Sequence, residues 1–153
     1  MLKEQIKNDI KDAMKEKKEL KISVLRMISS AISGEEIAKG KKETGMTDEE
    51  VVEVLAREVK KRKDSISQFE SAGRIELAEK ERQEIEVILK YLPDQLSPEE
   101  IEKLVGETIK ESGARSEKDF GTVMKSLSPK IKGRADGKQV SEIVKKILAD
   151  CQC

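Results

Sequence analysis

Apolar residues recur in this chain at three- and four-residue steps from one end to the other. Leu2, Ile6, Ile10 and Met14 form one stripe, which predicts a helix over residues 2–16. Leu20, Val24, Leu25, Ile28, Ala31 and Ile32 repeat the pattern until Gly34. The second helix is then expected to end before or within a mobile loop from Gly40 to Gly45 that carries Lys41, Lys42 and Glu43. Thr47-Asp48-Glu49-Glu50 reads as a capping box opening a long third helix, with Val52, Leu55, Val59, Ile66 and Phe69 as its buried stripe. Ala72-Gly73-Arg74 interrupts it, and a fourth helix from about Ile75 to Lys90 turns Ala78, Ile85, Ile88, Leu89 and Leu92 inward. The third and fourth helices are expected to form an antiparallel hairpin.

Pro93 disfavours helical geometry at the residue before it, so the chain must leave the fourth helix near Tyr91-Leu92-Pro93. Ser97-Pro98-Glu99-Glu100 then places serine at the cap, proline at the first helical position and glutamate at the third. Ile101, Leu104, Val105 and Ile109 supply the apolar face of a fifth helix that Ser112-Gly113 ends. Ser116 caps a sixth with Phe120, Val123, Met124 and Leu127 inward, Pro129 is expected to stop it, and Val140, Ile143, Val144, Ile147 and Leu148 make a seventh. Nothing alternates as a strand does. The expected organisation is all-α: an N-terminal helical domain over 1–92 with a long hairpin, a linker at 93–96, a small three-helix domain over 97–150, and a tail at 151–153.

Composition narrows the functional classes. Aromatics make up 2% of the 153 residues and charged residues 41%, as in helices lined with oppositely charged neighbours. Lys plus Arg and Asp plus Glu both total 31, so no global field draws the chain to nucleic acid or to an anionic membrane, and any such binding is local. The charged start, Met1 to Lys7, and the lack of a span-length apolar run predict a cytoplasmic protein with no membrane partner. Cys151 and Cys153 are the only cysteines, so no disulfide framework is expected. Two thiolates would leave a zinc ion half ligated, and a chemically idle tail is the favoured reading. Histidine is absent, which removes the commonest general base and metal ligand. No catalytic residue, metal or cofactor is therefore expected, and carboxylates such as Glu84 and Glu86 read as a solvated helix face.

One segment concentrates candidate chemistry. Lys130, Lys132, Arg134 and Lys138 surround Gly133 and Gly137 in a turn that feeds the start of the seventh helix, where free amides and the helix dipole attract anions. It is no nucleotide-triphosphate loop: the glycines are one residue too close, Gln139 stands where Ser or Thr is needed, and no strand precedes it. Charge is split across the small domain, with a net of −4 over residues 94–119 and +4 over 120–150. On residue physics alone two readings stay open, an anion-binding turn and a tight connection kept soluble by its lysines. A second cluster, Arg57, Lys60, Lys61, Arg62 and Lys63, is spread around the third helix, and Glu58 to Arg62 and Lys60 to Asp64 have pairing distance, which favours a solvated face over a binding patch.

Leu25-Arg26-Met27, Arg62-Lys63-Asp64-Ser65, Ala72-Gly73-Arg74, Tyr91-Leu92-Pro93, Phe120-Gly121-x-Val123-Met124 and Lys132-Gly133-Arg134-Ala135-Asp136-Gly137-Lys138 occur in an order and spacing that resemble YqeY proteins, stand-alone relatives of the tail of the amidotransferase subunit GatB. The resemblance covers nearly the whole chain and implies a larger N-terminal helical domain followed by a three-helix one. It also implies a role beside the glutamine-dependent amidation of mischarged tRNA, where the GatB tail helps hold the tRNA. A family label of carbon-nitrogen ligase with glutamine as amido donor would describe that company, because the domains that perform the chemistry have no counterpart here. Carried onto this sequence, the expected tRNA contacts are Lys130, Lys132, Arg134 and Lys138, with Gly133 and Gly137 letting the backbone approach phosphate. Gly121, placed mid-helix where glycine costs about 1 kcal/mol, is expected at a close helix approach or, less favoured, a ligand contact. The scarcity of aromatics points to RNA shape and backbone rather than stacked bases. The competing expectation is a helical protein-protein module, without RNA binding, whose N-terminal hairpin offers an apolar groove to a partner helix.

Overall fold

The computed structural model describes residues 1–150, and among them every regular element is helical. The elements are α1 (Leu2–Lys15), α2 (Glu19–Ala38), α3 (Asp48–Ser71), α4 (Ile75–Leu89), α5 (Pro98–Ser112), α6 (Phe120–Ile131) and α7 (Gly137–Asp150), with a short 3-10 turn at Glu117–Asp119 ahead of α6. The chain divides into two compact units, Met1–Pro93 and a second beginning at Asp94, and each has its own apolar core.

In the first unit Ile6, Val24, Leu25, Ile28, Val51, Leu55, Val59 and Ile88 are buried together, and α3 packs along α4. Thr47 accepts from the Glu50 amide at 3.2 Å while Glu50 accepts from the Thr47 amide at 2.8 Å, so the capping box at the start of α3 is complete. Gly73, at φ +73°, turns the α3–α4 hairpin. Two details depart from the expected stripes. Met14 is 51% exposed and Ala13 takes the inward place, because 6, 10 and 13 follow the helical face better than a strict step of four. Val51 and Val54 are buried while Val52 is only half buried, for the same reason. The second helix runs through Gly34 to Ala38, and its last turn buries Glu36, whose carboxylate accepts from Lys3 Nζ at 2.7 and 2.9 Å.

In the second unit α5, α6 and α7 enclose Ile101, Val105, Val123, Leu127, Val140, Val144 and Leu148. Ser97 and Glu100 form the second complete capping box, and Gly113 ends α5 in the left-handed conformation at φ +70°. Ser116 caps the 3-10 turn rather than α6 itself. Pro129 lies inside α6, which continues to Ile131. A proline so near a helix end removes a single backbone bond, and the extra residues bury Ile131. Gly121 is the second residue of α6, exposed, and a Cβ there would meet nothing within 4 Å, so the expected close approach is absent. Cys151 and Cys153 lie outside the described residues.

Candidate nucleic-acid interface

The turn between α6 and α7 has defined geometry. Lys132 at φ −55°, ψ 118° followed by Gly133 at φ +73°, with the Arg134 amide donating to the Ile131 carbonyl at 2.8 Å, makes a type II turn. That turn type demands a positive φ at its third residue, and glycine supplies it without strain. The Ala135 amide also donates to the Ile131 carbonyl, at 3.1 Å, closing the end of α6. Gly137 has no such role: it is the first residue of α7 and is not among the positive-φ glycines.

Residues 94–96, expected as linker, are tied to this turn. The Gln95 side-chain amide donates to the Gly133 carbonyl at 2.7 Å, the Leu96 amide to the Arg134 carbonyl at 2.8 Å, and Arg134 Nε to the Asp94 carbonyl at 3.1 Å. Leu96 also packs on the core of the second unit. The Asp94–Leu96 strap therefore belongs to the site's scaffold. Nothing local in Pro93-Asp94-Gln95-Leu96 signals a partner some 40 residues away in sequence.

The basic side chains divide by role. Lys130 reaches Glu111 at 3.5 Å and Thr108 Oγ1 at 3.5 Å, and Arg134 is half buried against the strap. Lys132 and Lys138 are exposed on either side of the turn. The start of α7 is not an open anion seat, since the Asp136 carboxylate accepts from the Lys138 amide at 3.2 Å and the Asp136 carbonyl accepts from the Val140 amide at 3.1 Å. Asp136 is a favoured helix-cap residue type, a signal that was readable in the sequence. The cap moves the weight of any anion contact from the helix amides to the exposed cations.

The second basic cluster disperses. Arg57 pairs with Glu35 at 3.2 Å, Lys61 pairs with Glu58 at 3.2 Å, and Lys60 and Lys63 are exposed. Arg62 is not on a solvated face: it is 7% exposed, its Nη1 donates to both the carbonyl and the carboxylate of Glu58 at 3.1 Å, and its Nε faces Glu84 at 3.5 Å. Glu84 is likewise buried at 7%, against the expectation of a solvated acid. The 3.5 Å contact is an ion pair without hydrogen-bond alignment, and Arg62 Nε has no hydrogen-bond partner. Arg62 continues the buried face of Val51, Leu55 and Val59, so its place in that register was a readable sign of burial. Glu81, beside Glu84, is held above the ordinary glutamate range by burial, then by the hydrogen bond to Glu84 and the repulsion between the two acids. Tyr91 donates to Asp9 at 2.5 Å, and burial together with that carboxylate raises its phenol.

Among the described residues no cluster of ligating side chains suits a metal ion, and no helix is long and apolar enough to cross a membrane. The family model described as Yqey-like protein matches residues 3–148. The chain belongs to that family. Among the chain's relatives, the mitochondrial protein named altered inheritance of mitochondria protein 41 of Saccharomyces cerevisiae is 33% identical over 146 residues, which cover 95% of this chain and 67% of that one. Its namesake in Candida glabrata is 40% identical over 90 residues, 58% of this chain and 48% of the relative. A third, a glutamyl-tRNA(Gln) amidotransferase subunit of Sulfurisphaera tokodaii, is 40% identical over 78 residues, 48% of this chain and only 12% of that relative. The amidotransferase relation that the motifs imply thus takes the form of kinship to part of a much larger protein.

Proposed function

We propose that this Yqey-like protein is a tRNA-binding or tRNA-amidotransferase-associated accessory protein that holds RNA backbone with the turn from Lys130 to Lys138. The carrying observation is the concentration of four cations within nine residues around one scaffolded type II turn, with Lys132 and Arg134 in the turn itself and Lys130 and Lys138 on the helices that it joins. The kinship with the Sulfurisphaera tokodaii glutamyl-tRNA(Gln) amidotransferase supplies the RNA context, and the local net charge of +4 over residues 120–150 supplies the sign. The small number of aromatics favours backbone contacts over stacked bases, so affinity should depend steeply on salt. Catalysis is not part of the reading: carbon-nitrogen ligation with glutamine as donor is work for partner proteins.

The test is a salt titration of tRNA binding with Lys132→Ala/Lys138→Ala. Arg134 is left intact because its guanidinium braces Asp94. Affinity should fall for all tRNAs alike, and the slope of log K against log salt should shrink by about 1 for each lysine removed. An unchanged slope and affinity would remove the turn from the interface.

A further inference from the structure

Arg62 is a buried cation short of strong acceptors. Its Nη1 donates to Glu58, its Nε has no hydrogen-bond partner, and its Nη2 faces the thioether sulfur of Met27 at 3.9 Å. A thioether is a weak acceptor, whereas a charged donor removed from water gains most from a strong one.

Met27 connects this buried cation to solvent. It is 41% exposed and lines a groove of about 690 Å³ with Met14, Ile22 and Arg26, where α1 turns into α2. A groove of that size admits a small hydroperoxide. Met14, 51% exposed, stands in the same groove with Arg26 Nη2 3.8 Å from its sulfur, while Met46 is buried. The two sulfur–arginine contacts match in distance and differ in setting. Water competes for the donors of the exposed Arg26 but is excluded from most of Arg62.

Oxidation changes what each sulfur offers. The Sδ lone pair attacks the hydroxyl oxygen of a hydroperoxide, an S–O bond forms as the O–O bond breaks, and the hydroxyl proton passes to the leaving oxygen, which departs as water or an alcohol. Sulfur is oxidised by two electrons, the peroxide is reduced, and the side chain becomes a polar sulfoxide. Its oxygen, one bond beyond a sulfur that already faces Nη2, falls within hydrogen-bond reach of the guanidinium. The three rotatable bonds of methionine let either sulfoxide epimer turn its oxygen that way.

We propose that Met27 is an oxidation site whose sulfoxide is held by Arg62, so that a hydroperoxide fastens α2 to α3 instead of loosening them. Oxidised Met14 gains only an exposed partner and leaves stability unchanged.

Mild hydrogen peroxide treatment of the full chain, peptide mapping by mass spectrometry and urea unfolding test this. Met14 and Met27 should take up oxygen before Met46. The urea midpoint of the oxidised parent should rise by about 0.5–1 M over the reduced form, the size of one charge-assisted hydrogen bond. Met14→Leu should show the same rise and Met27→Leu none. Cys151 and Cys153 meet the same peroxide in every variant, so the difference between variants isolates the methionine. In 15N-labelled parent the Arg62 side-chain N–H signal should move on oxidation. A midpoint that falls or stays constant once Met27 carries its oxygen overturns the proposal. So does a rise retained in Met27→Leu, a Met27 that resists peroxide until Met46 reacts, or an Arg62 signal that does not move.

Discussion

Arg62 shows how one buried cation can govern its neighbourhood. Its guanidinium is enclosed between α3 and α4 with Glu58 and Glu84, and each partner is mostly removed from water. Truncating such a cation strands its carboxylates, which costs about 3–5 kcal/mol where the pair is well buried. Arg62→Ala should therefore lower the urea midpoint of the protein sharply, by a free energy in that range. Glu84→Gln added to Arg62→Ala should recover part of the loss, since it removes the stranded charge. Strict additivity of the two changes would show that the 3.5 Å approach is not an energetic coupling. Glu81 offers a second test beside this cluster. Its folded-state pKa is raised, so the folded chain holds that proton more tightly than the unfolded chain does. The associated stability is present below the ordinary glutamate value and is lost as pH rises through the raised one. Glu81→Gln should thus melt higher than the parent at neutral pH, and the gap should close as pH falls through the ordinary glutamate range. A gap that is the same at pH 4 and pH 7 would assign it to packing instead of titration.

At the scale of elements, features whose cause lies within four residues were legible in the sequence. The capping boxes at Thr47 and Ser97, the Gly73 and Gly113 helix ends and the proline at the start of α5 depend only on local backbone groups, and each stands where its residues predict. Misplaced details needed information from elsewhere. Pro129 fails to end α6 because burying Ile131 outweighs one lost backbone bond. Gly121 falls in a first turn with open space around it, so its helical position has no packing cause. The candidate turn was legible as a basic, glycine-framed connection, and the need for glycine at Gly133 follows from the type II geometry. Its bracing by Asp94–Leu96 was not legible, because a backbone carbonyl leaves no mark in the residue that bears it. Arg62 lies between these cases: its register on the apolar face indicated burial, but its partner Glu84 is on another helix.

At the scale of the whole molecule, two separate cores raise the question of where one folding unit stops. Contacts divide the chain after Pro93, and the hydrogen bonds described above tie the strap that follows to the turn at Ile131–Arg134. A fragment covering residues 94–153 should therefore melt cooperatively with a helical spectrum, as should residues 1–93. A fragment covering 97–153 keeps all three helices and both halves of the Ser97 capping box but loses the three strap bonds and the packing of Leu96. Each net hydrogen bond contributes about 0.5–1.5 kcal/mol, and in a domain this small 1 kcal/mol moves the melting temperature by about 4–8 °C. The shorter fragment should melt lower by on the order of 10 °C, measured by circular dichroism at 222 nm. Since the strap fixes the carbonyls of Gly133 and Arg134, the same deletion should also weaken the proposed tRNA binding without removing a single lysine or arginine. Equal melting of the two fragments would mean that 94–96 is a passive tether and that the turn keeps its shape without it.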